Sequence, residues 1–346
     1  MADHVCILDT GSTDGTWEKL QEQASIRPNL IIAQQTIVPW RYDEARNISM
    51  TLIPKDTTIF FMADLDEIIK EPNWCDVVKS CWDPLFDRGV YTYNRDVGPD
   101  DIVIRSIPEY RFHSRDWYKW VNIVHEALIN HAGRKQFYIE TCTEIPITVW
   151  HYPKEKKEND YADLCEDTLR ENPQDYVMRL QLAIEYEIHE RDGRAYEHYL
   201  NLLEDPGTLQ DFEVARCCCS LGKITYKLDH DMQRALNYYR EGRLIAPHVI
   251  DNYIAAAELY YNNKEYQKAL DITQAGLENA QTARWCTTYE PHSYFPYWIL
   301  GMSNYFLNNY ILALGYMSIA LAKNPSEDIK SLYDNILAEI IKKEKD

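Results

Sequence analysis

Two stretches of this chain end an apolar run in carboxylates: IFFMADLDE, from Ile59 to Glu67, and CILDTGSTDGT, from Cys6 to Thr16. Asp64 and Asp66 are two residues apart, so at a strand end both side chains can point the same way. Carboxylates held that close repel unless a cation lies between them. Hard oxygen ligands with open positions suit Mg²⁺ or Mn²⁺ carrying a diphosphate. An acid-rich chain also produces Asp-x-Asp by chance, and the competing reading is a solvated turn with Glu67 capping the next helix. Asp9 likewise closes a strand, and Gly11 and Gly15 permit a tight turn close to a ligand. No Gly-Lys-Ser/Thr follows, so this is not a P-loop, and it is not a G-x-G-x-x-G turn. A carboxylate there can accept hydrogen bonds from a ribose or a base.

The elements that must position these acids differ between the two halves of the chain. Up to about Tyr152, HVCILD and TTIFFMADLD read as strands buried on both faces, and PNLIIAQQTIV reads as a third. GSTDGTWEKLQEQA is a turn and helix with Thr13 or Asp14 as N-cap and Trp17 and Leu20 inward, and YDEARNISMTLI is a further helix. The series β-α-β-α-β predicts an open α/β sheet, whose ligands sit beyond the carboxyl ends of the strands. YRFHSRDWYKW gathers aromatic and basic residues; it reads as a packed hairpin, with sugar or acceptor binding as the alternative. From about Asn159 the pattern is helical and repeats on Ala195, Ala235, Ala269 and Ala313. Twelve residues before these stand Ala183, Lys223, Ala257 and Gly301; four after stand Tyr199, Tyr239, Thr273 and Met317; Pro247 and Pro325 follow at twelve. The pattern resembles the tetratricopeptide repeat, a pair of antiparallel helices. About four copies are expected, with extra residues around Thr282 to His292, a linker or helix start at Lys154 to Asn159, and a capping helix at the end. The competing reading is a generic helical bundle.

Composition limits the functions open to such a chain. Its 346 residues are enough for two domains, and 45% of them are apolar. A net charge of −19 argues against broad affinity for nucleic-acid backbone or anionic membrane. The nine cysteines include no pair with zinc-ligand spacing, and Cys217, Cys218 and Cys219 are adjacent, a poor disulfide framework. They read as reduced thiols of a cytoplasmic protein. No signal peptide precedes the first strand and no apolar run is long enough to cross a membrane.

Taken in order, LDTGSTDGT, WRYDEARN, FMADLDE, WYKWVNIVHEAL and ITVWHYP resemble the motifs of family 2 glycosyltransferases with a GT-A fold. Many members of that family also carry C-terminal tetratricopeptide repeats, so the resemblance spans nearly the whole chain. It implies a GT-A-like sheet domain over residues 1–152, of the nucleotide-diphospho-sugar transferase kind, followed by an all-α tetratricopeptide-repeat solenoid over 153–346. It implies that Asp9 holds the nucleoside, with Gly11 and Asp14 in the turn nearby, and that Arg46 and Asn47 lie by the nucleotide. Asp64 and Asp66 would be the metal-binding pair, with Asp64 nearer the ribose, and His151 would complete the Mn²⁺ or Mg²⁺ site. Glu126 would be the general base, with His125 orienting it or touching the sugar; the plainer reading of His125 and His151 is structural.

The resemblance thus predicts a metal-dependent, inverting glycosyltransferase, hexosyltransferase-like, using a nucleotide-sugar donor, most readily a UDP-sugar. Positive charge from the metal and Arg46 would stabilise the departing diphosphate, and a carboxylate base would activate the acceptor. The acceptor would be a protein or peptide, or a glycan. The family's first strand and helix have no counterpart before Val5; a truncated reading frame, a strand donated by another chain and a sheet closed around the gap compete as explanations, with truncation preferred. Asn122 stands where the family often has glycine. The alternative is an impaired transferase relic whose repeats act as a peptide-binding or scaffold module, since stacked helix pairs form a groove suited to extended peptides. The repeats could also mediate self-association.

Overall fold

The computed structural model describes residues 2–83, 86–97, 101, 103–115, 118–130, 142–152, 160–279 and 293–343. The expected linker at 154–159, the insertion at 282–292 and Cys286 lie outside the described residues. Contacts divide the chain into two compact units, Met1–Glu171 and Asn172–Asp346.

The first unit begins with β1 (Val5–Asp9) and β2 (Leu30–Gln34), a parallel pair in the register Val5↔Leu30 to Asp9↔Gln34, linked by α1 (Thr16–Ile26). Gly15, in the left-handed conformation, occupies the N-cap of α1; Asp14 supports the turn from one residue further out by accepting from the Thr16 amide at 3.1 Å. Helix α2 (Tyr42–Thr51) follows. The next strands are β3 (Ile59–Phe61), β4 (Glu67–Ile69), β5 (Arg88–Val97), β6 (Val103–Ser114) and β9 (Thr143–His151); they form a mixed sheet in the order β3-β6-β5-β9-β4. Only β5 and β9 run parallel in it. Residues alternate on β9, with Ile145, Ile147 and Val149 inward, and these pack with Tyr91, Tyr93, Phe112 and Val78 of α3 (Trp74–Cys81). β7 (Tyr118–Val121) and β8 (Ala127–Asn130) make a separate antiparallel ribbon, and α4 (Ala162–Glu171) closes the unit.

The single open α/β sheet expected from the sequence is therefore not what forms among the described residues. β1–β2 and β3 belong to different sheets. The reason is local: β3 is only three residues long, and its pairing goes to β6, which is already joined to β5 in a long antiparallel pairing. YRFHSRDWYKW is likewise not one hairpin, because β6 pairs with β3 and β5 while β7 pairs with β8.

The second unit is a helical solenoid of the tetratricopeptide-repeat type. Its described hairpins are α5 (Tyr176–Ile188) with α6 (Asp192–Glu204), α7 (Asp211–Asp229) with α8 (Met232–Ile245), α9 (Asp251–Asn262) with α10 (Tyr266–Asn279), and α11 (Phe295–Phe306) with α12 (Tyr310–Lys323); α13 (Glu327–Lys343) caps them. The four anchor alanines, Ala195, Ala235, Ala269 and Ala313, are fully buried. Five residues before each stands the turn residue, Glu190, His230, Lys264 and Asn308, all with positive φ. In three of the turns the next amide bonds back to the residue five earlier: Arg191 to Tyr186, Glu265 to Tyr260 and Asn309 to Asn304. That is the Schellman closure of a helix end. One repeated backbone device thus sets the hairpins in the same register and lets the small and large positions of paired helices meet.

Candidate functional site

In the sheet unit, α2 is latched to β7 by a reciprocal amide pair: Asn47 donates to the Trp120 carbonyl at 2.8 Å and accepts from the Trp120 amide at 2.9 Å. The latch sets Arg46 beside the Trp120 ring, 4.9 Å from its centroid. From there the Arg46 guanidinium donates to Glu126 and to one oxygen of Asp64, the latter at 3.0 Å. The other oxygen of Asp64 accepts from Arg111 at 2.9 Å, and Arg111 also pairs with Glu67, whose side chain is 1% exposed. Glu67 in turn accepts from the Asp64 amide at 3.0 Å. The result is a chain of alternating charges, Glu126–Arg46–Asp64–Arg111–Glu67. Burial pulls the Arg111 pKa down, but Tyr91, Glu67 and Asp64 around it more than reverse this and leave it above the ordinary value.

Arg46, Asp64 and Glu126 lie together, joined through the guanidinium. Asp66 and His151 form a second pair at 3.4 Å across the β4–β9 junction, and His151 Nδ1 lies 2.9 Å from the Arg95 carbonyl, so that nitrogen carries a proton. Among the described residues, however, Asp64, Asp66 and His151 do not bring three ligand atoms within 4.8 Å of one another. Both Asp64 oxygens already face guanidinium groups. In this arrangement the three side chains do not fit a divalent ion. Glu126 is an ion-paired carboxylate, and His125 sits at φ 48° with its ring edge-on to Tyr161 at 6.1 Å. Asn122 has φ 78°, the left-handed region that glycine enters most easily.

Asp9 serves its own turn. Its buried carboxylate accepts from the Gly11 and Ser12 amides, each at 2.9 Å, and from the Gln34 side chain at 3.0 Å. The Gln34 amide, with Ser12 and Gly11, holds it well below the usual carboxylate range. Arg111 entered the sequence reading only as one of the basic residues of YRFHSRDWYKW, because no spacing marks it as the partner of Asp64 and Glu67; only its place inside a strand signals a buried partner.

In the solenoid, the surface feature that stands out is aromatic. Tyr261 of α9 meets Tyr266 of α10 at 5.7 Å and Trp298 of α11 at 5.2 Å. Phe306, 44% exposed, stacks on Tyr266 at 4.5 Å with the rings 12° apart. Phe295 stacks on Trp298 at 5.8 Å. The cluster spans two successive hairpins and is reached from solvent through Phe306.

A charge-paired sheet unit followed by a tetratricopeptide-like solenoid is the class that this fold defines. No family model matches the chain, and no curated protein matches it. Matching solved structures include that of MamA, with 18% identity over 50% of this chain and 90% of that one and a TM-score of 0.37. They include TTC0263, a thermophilic TPR protein of Thermus thermophilus, with 17% identity over 51% and 89% and a TM-score of 0.37. They also include YrrB, a TPR protein with an unusual peptide-binding site, with 14% identity over 50% and 81% and a TM-score of 0.37. These comparisons correct the sequence reading. These neighbours are TPR proteins, and no family model or curated protein supports the assignment to family 2 glycosyltransferases, so that assignment and the enzyme activity drawn from it are not retained. Among the described residues, no helix is long and apolar enough to cross a membrane.

Proposed function

We propose that this chain is a protein-interaction module whose solenoid binds an extended peptide segment of a partner. The observation that carries the reading is the aromatic cluster of Tyr261, Tyr266, Trp298 and Phe306, which links two hairpins and opens to solvent. Aromatic side chains offer a large, rigid contact area, and such residues dominate the energetics of interfaces. Stacked hairpins extend that contact along a peptide several residues long. With a net charge of −19, the chain attracts segments that carry basic residues beside an apolar anchor.

The test uses the full chain against a displayed random-peptide library, with binders measured by fluorescence polarisation. Peptides with an apolar anchor flanked by lysine or arginine are expected. Their affinity should fall tenfold or more in Phe306→Ser and Trp298→Ala. Failure to select any peptide, or selection of peptides indifferent to both changes, overturns the proposal.

A further inference from the structure

The second helices of the four hairpins are in a common register, so their outward positions can be compared directly. Counted from the anchor alanine, these are two and one residues before it and two, five, six and nine after it. In α6 they are Gly193, Arg194, Glu197, Leu200, Asn201 and Glu204. In α8 they are Gln233, Arg234, Asn237, Arg240, Glu241 and Leu244, and in α10 Gln267, Lys268, Asp271, Gln274, Ala275 and Glu278. In α12 the same positions hold Ile311, Leu312, Gly315, Ser318, Ile319 and Ala322. Three helices turn a mostly polar, charged face outward; the fourth turns out an uncharged and mostly apolar one.

That face is open to solvent. Ile311 is 81% exposed, Leu312 56% and Ile319 40%, and a Cβ added at Gly315 would meet nothing within 4 Å. The opposite face of α12 is already committed, with Ala313, Met317 and Ala320 fully buried against their neighbours. α12 is therefore apolar on both sides, and its core role explains only one of them.

We propose that the outer face of α12 is the contact of a two-fold homodimer, in which α12 packs antiparallel on α12 of a second copy with the axis at Gly315. The order of residues argues for a second copy. Ile311 and Ile319 lie four residues on either side of Gly315, and Leu312 and Ser318 three residues on either side. A two-fold axis through Gly315 sets Ile311 of each copy against Ile319 of the other, and the missing side chain at the axis lets the backbones approach. An isologous contact must be complementary to itself, and this face is; an unrelated partner imposes no such symmetry. The row Ile311–Gly315–Ile319 is an i±4 ridge, the kind that interdigitates in the commonest helix crossing. Charge points the same way: two copies at −19 repel, and on α12 the only ionisable side chains apart from tyrosine hydroxyls are those of the terminal Lys323, so the copies meet where repulsion is least. One helix face per copy makes a small interface, which places the dimer in the weak, reversible class.

Sedimentation equilibrium of the full chain, from about 1 to 200 μM, reads the association directly in the range expected of so small an interface. A monomer–dimer equilibrium that strengthens with added salt is expected, because salt screens the repulsion between copies. Ile311→Lys with Ile319→Lys should weaken it at least tenfold while leaving the thermal midpoint unchanged at concentrations where the parent is monomeric, since Ile311 is 81% and Ile319 40% exposed. Gly315→Cys should form an intermolecular disulfide under mild oxidation, absent in the parent chain, because only a two-fold pairing brings the two 315 positions together. A chain monomeric throughout, a dimer unaffected by the double lysine change, or no cross-link at 315 overturns the proposal.

Discussion

Arg111 holds the most demanding position among the single side chains. It is the partner of Glu67, which has no solvent to fall back on, and of Asp64, which is 44% exposed. Removing one member of a buried pair leaves an uncompensated charge, which costs about 3–5 kcal/mol. Arg111→Ala should therefore lower the unfolding free energy by about that amount in urea titrations, and more than Arg46→Ala, whose partners keep some contact with water. His113 gives a second residue-scale test. It is fully buried, edge-on to Phe60 with its ring 3.7 Å away and to Tyr118 at 5.1 Å, with Nδ1 at the Ser114 carbonyl. Burial, with a smaller effect from the charge of Arg88, pulls its pKa down to about 3 from 6.5. Below pH 6.5 the unfolded chain then binds a proton that the folded chain refuses. Stability should be fully present above that pH and fall as pH drops toward 3, by up to ~1.4 kcal/mol per pH unit from this group. Urea midpoints at pH 7 and pH 5 should show the loss, and His113→Phe should reduce it.

At the scale of elements, the hairpin turns and the small residues between paired helices govern the solenoid. Asn308 is of a type that tolerates φ 63°, but Lys264 holds the same φ with a side chain that disfavours it. Glycine there should raise stability by about 0.5–1 kcal/mol, read as a higher thermal midpoint for Lys264→Gly. The contact between α7 and α8 offers the opposite case. A Cβ at Gly222 would lie 2.3 Å from the Tyr239 ring, which is 3% exposed and has no room to retreat. Gly222→Ala should destabilise the chain by about 1–3 kcal/mol, and Tyr239→Leu in the same chain should recover part of the loss, a coupling that a double-mutant cycle measures. The anchor alanines and the positions four residues after them were legible in the sequence because each must be small or buried in every copy. β1, β2 and β3 were legible one by one, but their pairing was not, because a three-residue strand such as β3 does not itself dictate which neighbour it takes.

For the molecule as a whole, the division at Glu171 and Asn172 separates two units with their own cores. The fragment 172–346 should therefore fold alone and lose its helical circular dichroism in one cooperative transition; a non-cooperative melt would show that it depends on the first unit. The high negative charge acts across the whole chain, so the thermal midpoint should rise between low and physiological ionic strength.

What the sequence determined by itself was periodic and local: the solenoid with its four anchored hairpins among the described residues, and β1, β2, β3, α1 and α2 of the first unit. These follow from spacing along the chain, and helix pairing between neighbours in sequence leaves few alternatives. What only the tertiary structure decided was who neutralises whom. Arg111 reaches Asp64 across 47 residues and with Arg46 draws it into an ion-pair chain, while Asp66 turns to His151. Two acids two residues apart look the same in sequence whether they share one cation or, as here, take separate partners, because those partners come from elsewhere in the fold.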